Sequence, residues 1–479
     1  MSIVGAFMVP HPPIILPEVG KGEEKKISDT TIAYEQVAEE IARLKPETII
    51  ISSPHSIMYS DYFHISPGKN ASGNMGRFSA GSVRFEEEYD TELVDRICLI
   101  ASTTDAGERL SEMQEFPAGT IGERDSSLDH GTMIPLYFIR QKYNDFKLVR
   151  IGLSGLPLPM HYEMGQIIQK AVEKTGRRVV FVASGDLSHK MKEDGPYGYV
   201  DEGPKYDERI MEVCGSGEFD RLLDFDEVFC EKAAECGHRS FVMMAGALDG
   251  LSVTAKKLSH EATFGVGYGI CTFEVGEKDE SRKFLDKWRK ERLQALENGR
   301  KHENPYVRLA RFSLESYITT GKRISKADLK GERWDDMPDE MYNRRAGTFV
   351  SIHKDGALRG CIGTILPTCS SIADEIMQNA ISASTNDPRF PMIREDELPY
   401  LEISVDVLDE PEPIDGPDKL DVKKYGVIVT HGRKRGLLLP NLDGVDDIET
   451  QIDIARQKAG IREDEEYSLE RFEVVRHND

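Results

Sequence analysis

Apolar and polar positions alternate along the first half of the chain in blocks that stop abruptly at turn residues. Ile3-Val4-Gly5-Ala6-Phe7-Met8-Val9 is uninterrupted and ends at Pro10-His11-Pro12-Pro13. Proline fixes φ and has no N–H, so neither strand nor helix continues through three prolines in four residues, and His11 is held at a strand's end. Ile49-Ile50-Ile51 likewise stops at Ser52-Ser53-Pro54-His55, and Arg178-Val179-Val180-Phe181-Val182-Ala183 runs into Ser184-Gly185-Asp186-Leu187-Ser188-His189. Short β-branched runs bounded by turn signals predict buried strands. Lys147 to Leu153 predicts a further one. Between these runs the period changes to that of a helix: Tyr34, Val37, Ile41 and Leu44 recur before Pro46, and Met164, Ile167, Ile168, Ala171 and Val172 recur before Gly176. Alternation of this kind predicts an α/β N-terminal domain, a central sheet with helices on both faces, over residues 1–276. Tyr59 to Gly81, rich in Gly and Ser, predicts a long loop or an irregular hairpin.

Beyond Gly276 the rhythm breaks. Residues 277–304 are dominated by charge and predict an exposed helical linker. Pro305 then opens an amphipathic helix carrying Leu309, Phe312 and Tyr317 and closing at Gly321. Thr348, Val350 and Ile352 alternate toward Asp355-Gly356, a strong hairpin signal, and return through Leu358-Arg359-Gly360-Cys361-Ile362-Gly363. Ile372, Ile376 and Ala380 share a helix face, Leu401 to Val407 alternate as a strand, and a hairpin about Gly432 joins Val427–Val429 to Leu437–Leu439. Residues 305–479 therefore form a smaller α+β domain.

Composition narrows the setting. The 479 residues exceed what one core usually supports. There are 84 acidic against 61 basic residues, a net charge of −23, which disfavours nonspecific binding to nucleic acid or anionic membranes. No apolar run reaches the roughly eighteen residues of a membrane span, and the start lacks a basic-then-apolar leader, so a cytoplasmic protein is expected. The seven cysteines are odd in number, scattered and without C-x-x-C, which argues against a disulfide framework and a cysteine-type zinc finger.

In open α/β sheets ligands gather beyond the carboxyl ends of the strands. His11, His55 and His189 all follow strands, His130 precedes the apolar helix Thr132 to Ile139, and Glu235-Cys236-Gly237-His238 precedes another. Two histidines and a carboxylate on one face of a metal leave positions open, the arrangement of non-haem Fe(II) oxygenases, and His11, His55 and Glu235 offer that set. Against this stand Glu235 as a helix-start residue favoured by the macrodipole, and Cys236 as a small buried hydrophobe. Asp186 reads either as a hydrogen-bonding partner of the site or as an Asx-type cap. Cys361 has no histidine assigned to it and reads as a buried thiol; Arg359 beside it reads as part of a recognition surface.

The order His-Pro-Pro, Ser-Pro-His, Leu-Asp-His-Gly, Ser-Gly-Asp-Leu-Ser-His over residues 1–275 resembles the class III extradiol ring-cleaving dioxygenases of LigB type and their Memo relatives. Leu358 to Gly363, Asn386-Asp387-Pro388-Arg389-Phe390 and Gly436-Leu437-Leu438-Leu439-Pro440 resemble the AMMECR domain, and a chain joining both resembles the A component of the AmmeMemoRadiSam system. The resemblance implies a metal-dependent oxidoreductase in which His11, His55 and Glu235 bind Fe(II), His189 is the acid/base and His130 contacts substrate or bound oxygen, with a catecholic or other small molecule as substrate. Memo-type relatives use a cysteine near Glu235, so Cys236 is an alternative third ligand, which would favour zinc or copper. That variant implies an adaptor without ring-cleaving activity, partnered by a radical-SAM protein. A homo-oligomer remains open.

Overall fold

The computed structural model describes residues 2–102, 116–442 and 445–478. The chain divides into two compact units, Met1–Lys290 and Glu291–Asp479.

The first unit is built on a six-stranded mixed sheet in the order Lys147–Gly152, Thr48–Ser53, Val179–Ser184, Ile3–Val9, Tyr268–Lys278, Leu251–Glu261. The first four strands are parallel and the last two antiparallel. Ile3–Val9, Thr48–Ser53 and Val179–Ser184 are buried almost throughout because both faces are covered, whereas the edge strand Leu251–Glu261 is largely polar. Ala6, Met8, Ile50, Phe181 and Ala183 face one core; Phe7, Val9, Ile49, Ile51, Val180 and Val182 face the other. Helices Ser28–Leu44 and His130–Lys142 close the second face through Tyr34, Val37, Ile41, Ile134 and Ile139. Helices Thr91–Ser102, Leu158–Thr175 and His238–Ala247 close the first.

Register decides what this sheet presents at its carboxyl edge. Val9 pairs with Ser184, and Ser52 with Ala183, so three adjacent strands end level. Val179–Ser184 lies between the other two, and neighbouring strands are about 4.8 Å apart. The segments after Val9 and Ser53 therefore flank Gly185 and Asp186. The stretch expected as a long loop or hairpin contains the hairpin Asn70–Met75 with Ala80–Glu88, made irregular by a register shift at Asn74/Met75.

The strand Tyr268–Lys278 extends two residues into the charged stretch, and Phe284 and Leu285 at the start of the helix Phe284–Arg300 are buried in the first unit's core. In the second unit an antiparallel sheet runs Ala357–Gly363, Thr348–Lys354, Leu401–Leu408, Ser468–Asn478, Tyr425–His431, Lys434–Leu438, with Glu412–Ile414 also on Ser468–Asn478. Asp355 and Gly356, at φ 53° and 83°, make the predicted tight turn. Helices Pro305–Thr320 and Ile372–Thr385 bury Leu309, Leu314, Ile376 and Ala380 against Val350, Ile352, Ile403 and Val405. All seven cysteines are free thiols. Among the described residues no helix is long and apolar enough to cross a membrane.

Candidate metal centre

Three level strand ends bring together side chains remote in sequence. His11 is fully buried and reaches across Ser184 until its Nε2 is 3.0 Å from His55 Nε2. Cys236, from the turn before the helix His238–Ala247, places Sγ 3.6 Å from the same His11 nitrogen. The three donor atoms all lie within 4.8 Å of one another. In a tetrahedral site with ordinary metal–nitrogen and metal–sulfur bonds, two nitrogens stand about 3.3 Å apart and a nitrogen and a sulfur about 3.6 Å. The His11–His55 and His11–Cys236 separations thus match those of ligands sharing one cation.

Backbone contacts hold this cluster. The His11 N–H donates to Asp186 Oδ1 at 2.7 Å, and the Asp186 N–H points to Cys236 Sγ at 3.3 Å. The Tyr34 hydroxyl donates to the Pro10 carbonyl, anchoring the proline turn to the helix Ser28–Leu44. A Cβ on Gly185 would lie 2.1 Å from the Cα of Gly237, so the two turns carrying Asp186 and Cys236 touch backbone to backbone. Ala234 just upstream has φ 52°, a left-handed conformation that costs a residue with a Cβ roughly 1–2 kcal/mol. That twist turns its carbonyl to accept from His189 Nδ1 at 2.5 Å.

The local electrostatics keep every donor neutral. Burial, followed by repulsion from His55, His130 and His189, holds His11 well below the usual histidine range; burial also lowers His55 and His189 and takes His130 to about 4. Burial raises the Cys236 thiol well above its ordinary value, with Asp186 and Glu235 adding to the effect, and lifts the Asp186 carboxyl to about 7. Neutral imidazoles are the ligand form, whereas the thiol and carboxyl are groups that a cation would ionise.

A cleft of about 790 Å³ opens beside His55 and His130, bordered by Arg77, Phe78, Glu123 and Asp125. His130 stacks on His55 at 4.0 Å between ring centroids. Its helix is capped by Asp129, which accepts from the Thr132 N–H at 3.0 Å and the Ser53 hydroxyl at 2.5 Å. Arg150, nearly wholly buried, lies 3.6 Å from Asp129 and donates to the carbonyls of Asp125 and Ser127 and to Ser66 Oγ. The cleft wall and the helix bearing His130 are therefore tied to one guanidinium.

The structure brings His11 and His55 together, stacks His130 on His55 and edge-on to His11, and leaves His189 near enough to help hold both below the usual histidine range. Glu235, expected as the third ligand, lies outside this set. Its carboxylate accepts from the His238 N–H at 2.6 Å, at the start of the next helix, and from Tyr206 of the helix Glu202–Ser216, and burial raises it to about 7. The unsatisfied N–H groups at the start of the helix His238–Ala247 claim the carboxylate, while the close approach of Gly185 and Gly237 sets Cys236 beside Asp186 and His11. Ser184 and Arg150 were not legible as site residues. Ser184 ends a strand next to Gly-Asp, which reads as turn chemistry, and Arg150 interrupts an apolar run with no local partner to explain it.

Residues 5–271 match the family described as "Catalytic LigB subunit of aromatic ring-opening dioxygenase", and residues 307–477 match AMMECR1. Protein CA_C1420 of Clostridium acetobutylicum is 44% identical over 482 residues, covering 100% of both chains. A Thermotoga maritima protein is 50% identical over 177 residues, 36% of this chain and 98% of its own. Among solved structures, the uncharacterized protein PH0010 of Pyrococcus horikoshii is 33% identical, covers 36% of this chain and 88% of that one, and superposes with a TM-score of 0.32.

Proposed function

Because this chain belongs to the family of the catalytic LigB subunit of aromatic ring-opening dioxygenases, with an AMMECR1 domain fused beyond it, we propose that its first unit is a metal centre in which His11, His55 and Cys236 hold zinc or copper. The observation that carries this reading is the pairing of Cys236 Sγ with His11 Nε2 while the Glu235 carboxylate is engaged by the next helix. A thiolate with two imidazoles suits softer ions than the carboxylate set of Fe(II) oxygenases. Such a centre resembles the Memo-like alternative, a metal protein that does not cleave aromatic rings.

When bound, the cation supplies Lewis-acid polarisation of a ligand oxygen. The residues do the rest. His189 commits Nδ1–H to the Ala234 carbonyl, which leaves Nε2 with its lone pair, and burial keeps the ring neutral, so it is the group suited to take a proton. His130, held neutral over His55, offers the cleft a hydrogen-bonding edge without adding charge. Asp186 holds the turn after the first strand through its bond to the His11 N–H. A small-molecule ligand entering the cleft, a radical-SAM protein as partner, and a cytoplasmic setting suited to free thiols complete this reading.

A second reading is favoured by the same histidines. His189 and His130 flank the His11/His55 pair as an acid/base and a substrate contact would in an Fe(II) ring-cleaving enzyme acting on a catechol. One experiment separates the two: metal-free protein is equilibrated anaerobically with equal Zn²⁺, Cu⁺ and Fe²⁺, and bound metal is measured in wild type, Cys236→Ser and Glu235→Gln. Zinc or copper at one per chain, lost in Cys236→Ser and kept in Glu235→Gln, is expected. Preferential iron, released by Glu235→Gln and accompanied by catechol cleavage, would establish the second reading instead.

A further inference from the structure

We propose that Ser184 is a positioning residue that sets the tautomer of His11, and that Pro135 is what commits it to that task. Ser184 is completely buried at the end of the strand Val179–Ser184. Its Oγ has two polar neighbours, the Gly131 carbonyl oxygen at 2.6 Å and His11 Nδ1 at 3.0 Å. A carbonyl oxygen only accepts, so the single hydroxyl proton lies in the bond to Gly131. Toward His11 the serine oxygen then offers lone pairs alone, and Nδ1 must carry the hydrogen. In a neutral imidazole that leaves the lone pair on Nε2, the nitrogen facing His55 and Cys236.

Why the Gly131 carbonyl takes the serine proton follows from the helix His130–Lys142. In an α-helix the carbonyl of residue 131 accepts from the N–H of residue 135, and here that residue is Pro135, which has none. The orphaned carbonyl sits in the buried first turn, where an unpaired acceptor is costly. Ser184 satisfies it across 53 residues of chain. A proline in one helix thereby determines which nitrogen of a histidine on another strand is free to bind, while the same hydroxyl ties that strand to the helix carrying His130.

This inference rests on the reading of His11 as a metal ligand, but its first test needs no metal. In the metal-free full chain labelled with ¹⁵N-histidine, with His11→Gln used for assignment, His11 is expected to show a protonated Nδ1 and an unprotonated Nε2. Ser184→Ala should convert this signal to a mixture or to the Nε2–H form. Pro135→Ala, which leaves Ser184 in place and returns a helix donor to Gly131, should shift it in the same direction by less. Zn²⁺ affinity should fall about 10–100-fold in Ser184→Ala, the usual loss when a ligand's outer hydrogen-bond partner is removed. A wild-type His11 protonated at Nε2, or a Ser184→Ala protein with unchanged tautomer and Zn²⁺ affinity, would overturn the role given to Ser184; an unchanged tautomer in Pro135→Ala would overturn that given to Pro135. Wild-type protein that binds no metal but shows the expected tautomers would refute the metal centre and leave the tautomer device standing.

Discussion

Cys236 is the residue on which the chemistry of this centre turns, because it is the one donor whose ligand form differs from its resting form. Burial raises its thiol, so at neutral pH it is protonated and must lose that proton to bind a cation; burial lowers His11 and His55, so above their ordinary range they are already neutral and release nothing. Metal affinity should therefore rise with pH, by about tenfold per unit between pH 8 and 9, where the Asp186 carboxyl is already ionised, with one proton released per ion. Calorimetric titration in buffers of different ionisation heat measures that proton, and two or more released at pH 8 would show a histidine being deprotonated as well. His189 belongs to the other half of the chemistry. His189→Ala should keep its metal, and any turnover found should drop by something like 10²- to 10⁴-fold. Metal analysis and rate on one preparation decide this: lost metal would make His189 a ligand.

At the scale of elements, the site depends on two close approaches that no single helix or strand provides. The turns after Ser184 and before His238 touch through Gly185 and Gly237. Gly185→Ala inserts a methyl where 2.1 Å is available, so the turns must separate, at a cost of about 1–3 kcal/mol. The expected outcome is a lower unfolding midpoint together with weaker Zn²⁺ binding, and unchanged binding would mean that Cys236 reaches His11 without that contact. The second approach is made by Arg150, whose guanidinium joins its strand to the carbonyls of residues 125 and 127 and to the Asp129 cap. Arg150→Met leaves those groups without their donor in a buried place. Urea unfolding should register a loss of roughly 3–5 kcal/mol, as when one partner of a buried charged pair is removed.

For the whole molecule, the two units imply two responses. A ligand that binds only the folded first unit stabilises that unit alone, by about 2.7 kcal/mol at a free concentration one hundred times its dissociation constant. Scanning calorimetry with and without Zn²⁺ should therefore move one transition and leave another in place; a single transition moving as a whole would mean that the units unfold together. Limited proteolysis bears on the same point. Phe284 and Leu285 are buried in the first core, whereas the rest of the helix to Arg300 is largely charged. Cleavage is expected between residues 286 and 304, giving two stable fragments. A chain that resists cutting there would argue against independent units.

Read by itself, the sequence determined the parts whose signals are local. Uninterrupted apolar runs specified strands covered on both sides, the 3.6-residue period specified the helices beside them, and prolines and glycines specified where each ends, so the strand-end placement of His11 and His55 was legible. Asp355-Gly356 announced its hairpin for the same reason: a tight turn is chosen by the φ values its own residues tolerate. The tertiary structure decided what depends on contacts between remote segments. Glu235 and Cys236 are neighbours in the chain and equally plausible ligands by type. Only the strained Ala234, the Gly185–Gly237 contact and the waiting N–H groups of the next helix turn the thiol toward His11 and the carboxylate away. Ser184 and Pro135 are ordinary residues in their own segments, and their joint effect exists only because the sheet register sets one hydroxyl between a histidine and a carbonyl that a proline has left without a donor. Hydrogen-bond roles are settled by what each atom meets, and that is a property of packing which no local pattern encodes.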